Sequence, residues 1–381
     1  MKQDKIWLSS PHMGGTEKKY VEQAFTDNWI APLGPNVNGF EEDIKNYLFS
    51  DSFSHGEVAA LSSGTAALHL ALILAGVKRG DEVICQSLTF AASANPITYL
   101  GATPVFIDSE EETLNISPIF LEEAIKDRIA NGKKPKAIIA VHLYGMPYKV
   151  DEVNRVAKTY DIPVIEDSAE ALGSSYNGQK CGTLGDMSIL SFNGNKIITT
   201  SGGGALITRN RKLKEKAVFL ATQARDEAPH YQHSEIGYNY RLSNISAGIG
   251  RGQMEVLDQH VILRREMHNF YLDLFDNVPG VRVQREPEKE YFCNHWLTIV
   301  LSDGTVDFEE LRLYLESENI ECRPLWKPMH LQPVFEKELF YGNGVAEKAF
   351  KTGLCLPSGS NLGEKEKSRI RTAIKDFFEL T

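Results

Sequence analysis

Between residues 58 and 210 the chain alternates between two hydrophobic periods. Short apolar runs rich in Val and Ile stand at 58–61 (VAAL), 82–85 (EVIC), 104–107 (PVFI), 137–142 (AIIAVH) and 163–166 (PVIE). Apolar residues recur at helical spacing between them, at about 65–75, 91–100, 117–130 and 149–160. Continuous apolar runs separated by helix-length segments predict buried parallel strands joined by crossover helices, with both faces of the sheet covered. Met187 to Phe192 and Gly204 to Thr208 read as two further strands with no helix between them, so a hairpin or a reversed strand is expected there. The result is a mostly parallel, mixed, seven-stranded sheet between helices.

Beyond about residue 211 the texture changes. Residues 211–224 and 244–278 read as long polar or amphipathic helices, 290–301 (EYFCNHWLTIVL) as a strand, and 307–318 as a helix. A Pro-rich stretch follows from Arg323 to Pro333, and a closing helix covers about 363–379. The expected organisation is α/β: a large domain over 1–250, with an N-terminal arm over 1–30, and a smaller C-terminal α+β domain over 251–381.

Composition narrows the class. The 381 residues carry 41 Lys and Arg against 51 Asp and Glu, a net charge of −10, which disfavours a nucleic-acid or anionic-membrane partner. Five scattered cysteines, an odd number with no close pair, predict reduced thiols in a cytosolic protein and offer no metal clamp. The longest apolar stretch, Ala66 to Gly76, contains His69 and is about half the roughly 20 residues a membrane span needs.

In open α/β sheets, ligands sit at the carboxyl ends of the strands. Three such ends carry polar groups that a core does not need. In Leu61-Ser62-Ser63-Gly64-Thr65 a strand passes through a small-residue turn into a helix, whose free N–H groups favour a phosphate; an ordinary helix cap would look the same. In Val164-Ile165-Glu166-Asp167-Ser168-Ala169-Glu170 a strand ends in acids that could hold a metal, a ribose or a cationic ring nitrogen; a helix capped by Asp167 and Glu170 is the other reading. Lys196 ends a loop after the strand that contains Ser191 and precedes Ser201-Gly202-Gly203-Gly204, which suits either a desolvated Schiff-base lysine or a solvated loop lysine. Together the three are what a pyridoxal phosphate enzyme requires: a lysine for the aldehyde, a carboxylate for the ring nitrogen and N–H donors for the phosphate.

The chain resembles the DegT-type sugar aminotransferases, a branch of the fold-type I pyridoxal phosphate enzymes. The resemblance runs through SSGTAALHLAL, GDEVICQSLTFAASANPI, GATPVFID, HLYG, VIEDSAEALG, SFNGNKIITTSGGG, GYNYRLSNI and RPLWKPMHLQPVF, in that order. It implies that Lys196 is the Schiff-base lysine and moves the proton, that Asp167 pairs with the ring nitrogen, and that Glu170 lies near the ring hydroxyl. It places Gly64, Thr65 and Ser191 on the phosphate and Phe90 against the ring face, although a plain core Phe would fit position 90 equally. Asn239 would reach the phosphate of a neighbouring subunit, which implies a homodimer with shared sites. Arg241 would bind an anion or serve the structure. Trp326, Lys327 and His330 would line the sugar and diphosphate pocket, unless the prolines around them only stiffen a domain link.

The activity implied is transfer of an amino group from L-glutamate to the 4-keto carbon of a nucleotide-linked 4-keto-6-deoxy sugar, with uridine the expected base. A 3-keto sugar aminotransferase, a sugar dehydratase on the same cofactor and a non-catalytic regulator are the alternatives. The dehydratase branch carries His where this chain has Lys196.

Overall fold

All seven expected strands form, side by side in one mixed sheet. The computed structural model describes residues 4–50 and 55–380. Across the sheet the order is Glu57–Leu61, Gly204–Thr208, Met187–Ser191, Val164–Asp167, Ala137–Val141, Glu82–Gln86 and Thr103–Ile107. Gly204–Thr208 runs antiparallel to both of its neighbours, which is the reversed strand expected where no crossover helix was available. The chain goes from Glu82–Gln86 to Thr103–Ile107 on one side and then returns to Ala137–Val141 on the other. Such a reversal opens a crevice at the carboxyl ends of the strands.

An eighth strand, Phe340–Tyr341, extends the sheet by pairing in parallel with Phe106 and Ile107. Two residues leave no periodic signal; what fixes them is Asp108. Its buried carboxylate accepts N–H groups from Ser109 (2.8 Å), Asn343 (2.9 Å), Gly344 (2.7 Å), Val345 (3.1 Å) and Ala346 (2.8 Å). It thereby caps the helix Val345–Thr352, and Gly342 passes so close that any Cβ would collide with the Asp108 side chain. Asp108→Ala would strand these donors in a buried site. The expected cost is roughly 3–5 kcal/mol, read as a fall in Tm of on the order of 10 °C.

The helix Gly64–Leu74 crosses under the sheet with eight of its eleven residues buried, so its apolar positions run all round it. Its amino end is fixed by Ser63, whose Oγ accepts from the Ala66 N–H at 3.0 Å. The expected long helix over 244–278 is two helices, Asn244–Met254 and Leu257–Phe275. The first packs on Glu17–Thr26 and Pro35–Leu48; the second packs on a separate antiparallel sheet. That sheet orders Val281–Val283, Thr298–Ser302, Gly353–Leu356 and Arg323–Pro324, and its core includes Tyr271, Leu311 and Ile374. Ile6 bridges to Ile320 at its side, which ties the start of the chain to this second layer.

The expected strand over 290–301 is interrupted. Tyr291–Phe292 pairs with Ser175–Tyr176, and regular pairing resumes only at Thr298–Ser302. Between them His295 adopts a positive φ of 48° and the Asn294 side-chain oxygen accepts the Trp296 N–H at 2.8 Å. This local side-chain turn competes with ladder bonding and faces Trp296 into the crevice.

Candidate active site

A cavity of about 770 Å³ opens at the carboxyl ends of the main sheet. Three walls come from the strand ends read from the sequence, and a fourth combines Phe90 with Trp296 and Trp326 from the connections of the second sheet.

The first wall is the turn into Gly64–Leu74. Ala66 and Ala67 bond back to Ser63, so the Gly64 and Thr65 N–H groups precede the first internal bonds of the helix and are left for the cavity. A Cβ on Gly64 would lie 3.1 Å from the Ser191 Cβ, and one on Gly204 would strike the Ser63 backbone. These two glycines keep the cradle empty of side chains.

The second wall is Val164–Asp167 and the turn after it. No helix follows, so the capping reading of Asp167 and Glu170 does not hold. Asp167 is buried, and its two oxygens accept from Ser93 Oγ at 2.7 Å and the Ala169 N–H at 3.1 Å. Ser93 is itself bonded to Thr89 Oγ1 at 2.8 Å. Among the described residues no cation pairs with this carboxylate. Beneath it, Glu166 is fully buried against His142, with oxygens 2.7 Å from His142 Nε2 and 2.8 Å from the Leu184 N–H. Cys181 completes a trio of metal-capable groups. The Gly182 and Gly185 N–H groups and Ser168 Oγ also bind Glu166, so its lone pairs are spent on stiffening the strand end that presents Asp167.

The third wall carries Lys196. Its Nζ lies 3.1 Å from Glu170 Oε1 and 4.0 Å from the centroid of the Trp296 ring. Only 11% of the side chain is exposed, so the solvated-loop reading falls away. Glu170 Oε2 accepts the Tyr144 N–H at 2.7 Å. Burial raises the pKa of Glu170, while the Lys196 charge and the Tyr144 N–H pull against that rise.

Aromatic rings make the fourth wall. Trp326 lies 5.5 Å from Phe90, 4.9 Å from Tyr144 and 6.3 Å from Trp296, centroid to centroid. Phe90 is 57% exposed and lines the cavity, which excludes a plain core role. Lys327 reaches the same cavity from an exposed position, as does Arg323, which is paired with Glu321 at 2.7 Å.

Three of the singled-out residues do not line this chain's own cavity. Arg241 is spent on Glu41 (2.5 Å) and the Ala60 carbonyl (3.0 Å), binding the first strand to the helix Pro35–Leu48. His330 sits behind the cavity wall: Nδ1 is 2.7 Å from Ser87 Oγ, Nε2 is 3.4 Å from Glu347, and its ring stacks on Phe340 at 3.7 Å. Those partners consume both ring nitrogens in holding the loop. Asn239 is exposed and does not line its own chain's cavity. Conversely, Ser93, Tyr144, Arg323 and Trp296 line or brace the site and had no assigned role in the sequence reading. Tyr144 lies in the HLYG motif, but its positive φ of 55° has no local signature.

Residues 11–375 match the DegT/DnrJ/EryC1/StrS aminotransferase family. The chain belongs to this family. EpsN of Bacillus subtilis (strain 168), provisionally named a pyridoxal phosphate-dependent aminotransferase, is 51% identical over 98% of this chain and 96% of its own. GDP-perosamine synthase of Escherichia coli O157:H7 is 37% identical over 98% of both chains. The solved PLP form of Spr1654 from Streptococcus pneumoniae, provisionally named a sugar aminotransferase, superposes with a TM-score of 0.88 at 25% identity, covering 98% of this chain and 99% of that one.

DegT-family aminotransferases use pyridoxal phosphate, and this protein is a sugar aminotransferase of that kind. The residues present fit the cofactor. A glycine-lined helix N-terminus suits a phosphate, and Asp167 is a buried carboxylate with no cationic partner among the described residues. Lys196 is a desolvated amine in the same cavity. No described helix is long and apolar enough to cross a membrane.

Proposed function

We propose that the protein transfers the amino group of L-glutamate to the 4-keto carbon of a nucleotide-linked 4-keto-6-deoxy sugar. The observation that carries this reading is that Lys196, Asp167 and the Gly64–Thr65 N–H groups face one cavity. When bound, the cofactor supplies an electron sink for the carbon bearing the amino group. The protein's share is positioning and proton transfer. Asp167 would hold the positive ring nitrogen, Gly64, Thr65 and Ser191 would bind the phosphate, and Phe90 would cover a ring face. Glu170 holds the Lys196 amine at 3.1 Å and would also meet a ring hydroxyl. Lys196 takes the proton from the donor's Cα and returns one to the sugar's C4.

Lys327 and Trp326 at the mouth suit a diphosphate and a sugar face. Uridine was the base expected from the 326–330 segment. Three relatives named GDP-perosamine synthase, 37%, 36% and 33% identical, support guanosine instead, and a GDP-linked sugar is the reading adopted. Exposed Asn239 fits a contribution to a partner subunit's phosphate site, hence a homodimer.

The purified protein is expected to absorb in the visible and to bleach on addition of L-glutamate. Incubation with glutamate and a panel of GDP- and UDP-linked 4-keto and 3-keto sugars, read by mass spectrometry, is expected to show amination of the GDP-linked 4-keto compound. Bleaching without amination of any nucleotide sugar would reject the substrate class; amination of only the 3-keto or UDP-linked compounds would reject the ring position or the base.

A further inference from the structure

The function above leaves one contact of Lys196 unused. Its Nζ stands 4.0 Å from the Trp296 ring centroid, within cation–π range, and Trp296 itself is only 2% exposed. Trp296 is among the most constrained residues of the site. Its indole N–H donates to the carbonyl of Asn195, the residue before Lys196, at 2.7 Å. Its own N–H donates to Asn294 Oδ1, and Asn294 Nδ2 donates at 2.8 Å to the carbonyls of both Glu170 and Leu172. The Trp296 carbonyl accepts from Arg264, which also holds Ser9 Oγ at 3.0 Å. One segment therefore registers the indole face against both the loop that carries Lys196 and the turn that carries Glu170.

We propose that the Trp296 face, with the Glu170 carboxylate, is the seat of the Lys196 ammonium whenever that amine is not bonded to the cofactor. The inference rests on the reading of Lys196 given above. An amine that takes the proton from the donor carbon becomes an ammonium on a side chain only 11% exposed, while the bonding pair stays with the carbon. A bare carboxylate would hold that ammonium wherever Glu170 reaches. The ring face, fixed through Asn195, holds it at one place beside the carbon and leaves its remaining N–H bonds free to return a proton. Trp296 is thus a positioning residue, acting through Lys196. The charged groups around this seat are Glu170 and Asp167 on the sheet side, Arg264 behind the Trp296 carbonyl, and Lys327 and the Arg323–Glu321 pair at the mouth.

Two substitutions separate the ring face from the indole N–H. Trp296→Phe and Trp296→Leu both lose the bond to Asn195, but only the first keeps an aromatic face. In the single-turnover reaction of the holoenzyme with L-glutamate, the Leu variant is expected to lose about tenfold or more in maximal rate, with its half-saturating glutamate concentration within about twofold of the parent. The Phe variant is expected to retain most of the rate, since a cation–π contact in a desolvated site supports an effect of about this size. A second readout avoids turnover. In the cofactor-free full chain at fixed pH, trinitrophenylation of Lys196, followed by peptide mass spectrometry, is expected to speed up several-fold in the Leu variant and little in the Phe variant. Trp296→Met serves in place of Leu should the latter fail to bind cofactor. Equal loss in the Phe and Leu variants, with unchanged labelling, would reduce Trp296 to a brace for Asn195 and overturn the proposal. Failure of the Lys196 reading itself would look different: the parent protein would show no visible absorption that bleaches with glutamate.

Discussion

Lys196→Ala is expected to abolish transamination while leaving a folded protein that still takes up cofactor. Three features make this the largest effect available at the site. The amine is largely buried and held by Glu170 and Trp296, so it is oriented before any substrate arrives. The described residues lining the cavity include no His or second Lys nearby that could accept a proton in its place, because Lys327 lies at the exposed mouth and His330 behind the wall. Alanine also removes the covalent tether along with the acid–base group. Loss of general acid–base catalysis alone is worth about 10²–10⁴, so a fall of about 10⁴ or more in the rate of the glutamate half-reaction is expected. The visible band that depends on the tether should shift at once. Glutamate should then fail to bleach the cofactor on the timescale of the parent enzyme. Turnover within tenfold of the parent would mean that another group moves the proton, and both the mechanism and the Trp296 seat would go with it.

The parts of this site that could be read in advance share one property: each lies where a strand ends and the local pattern breaks. The run Val164-Ile165 must stop being apolar at Glu166 and Asp167, and the core cannot account for acids there. Likewise, Gly64 opens a helix just after a strand, so its small size and the Ser63 cap before it could be read from neighbours in sequence. What could not be read depends on contacts between distant segments. Trp296 sits in a stretch whose composition is that of a strand, and only the Asn294 side chain, anchored to carbonyls more than a hundred residues away, turns it out of the ladder. Tyr144 supplies its backbone N–H to Glu170 and its hydroxyl to the Trp326 N–H at 3.0 Å, roles for which residue type gives no warning. Arg241 keeps only the structural half of its expected role, and His330 lies outside the cavity, for the converse reason. A motif places a basic residue near a site, but whether its charge remains available depends on Glu41, Ser87 and Glu347, none of which is close in sequence.

Asp167→Asn is expected to have the second largest effect, and its signature separates an electrostatic role from a structural one. The carboxylate is buried, and its partners in the chain are a hydroxyl and an N–H, which orient it without neutralising it. A buried charge with no opposite charge is costly, so the site is complete only when a cation occupies the cavity beside it. An amide can accept the Ala169 N–H and meet Ser93, so the fold should tolerate the change. It cannot hold a positive ring nitrogen. The rate of the glutamate half-reaction is therefore expected to fall by about 10²–10³, the usual cost of removing one preorganised electrostatic group. Without cofactor the variant should melt no lower than the parent, because a charge that lacked a partner has gone. With cofactor, the rise in Tm on saturation should be smaller than in the parent, since ligand stabilisation follows affinity for the folded state. A variant that melted far below the parent without cofactor, yet kept its full cofactor-dependent rise, would make Asp167 a structural carboxylate and remove the ring nitrogen from its account.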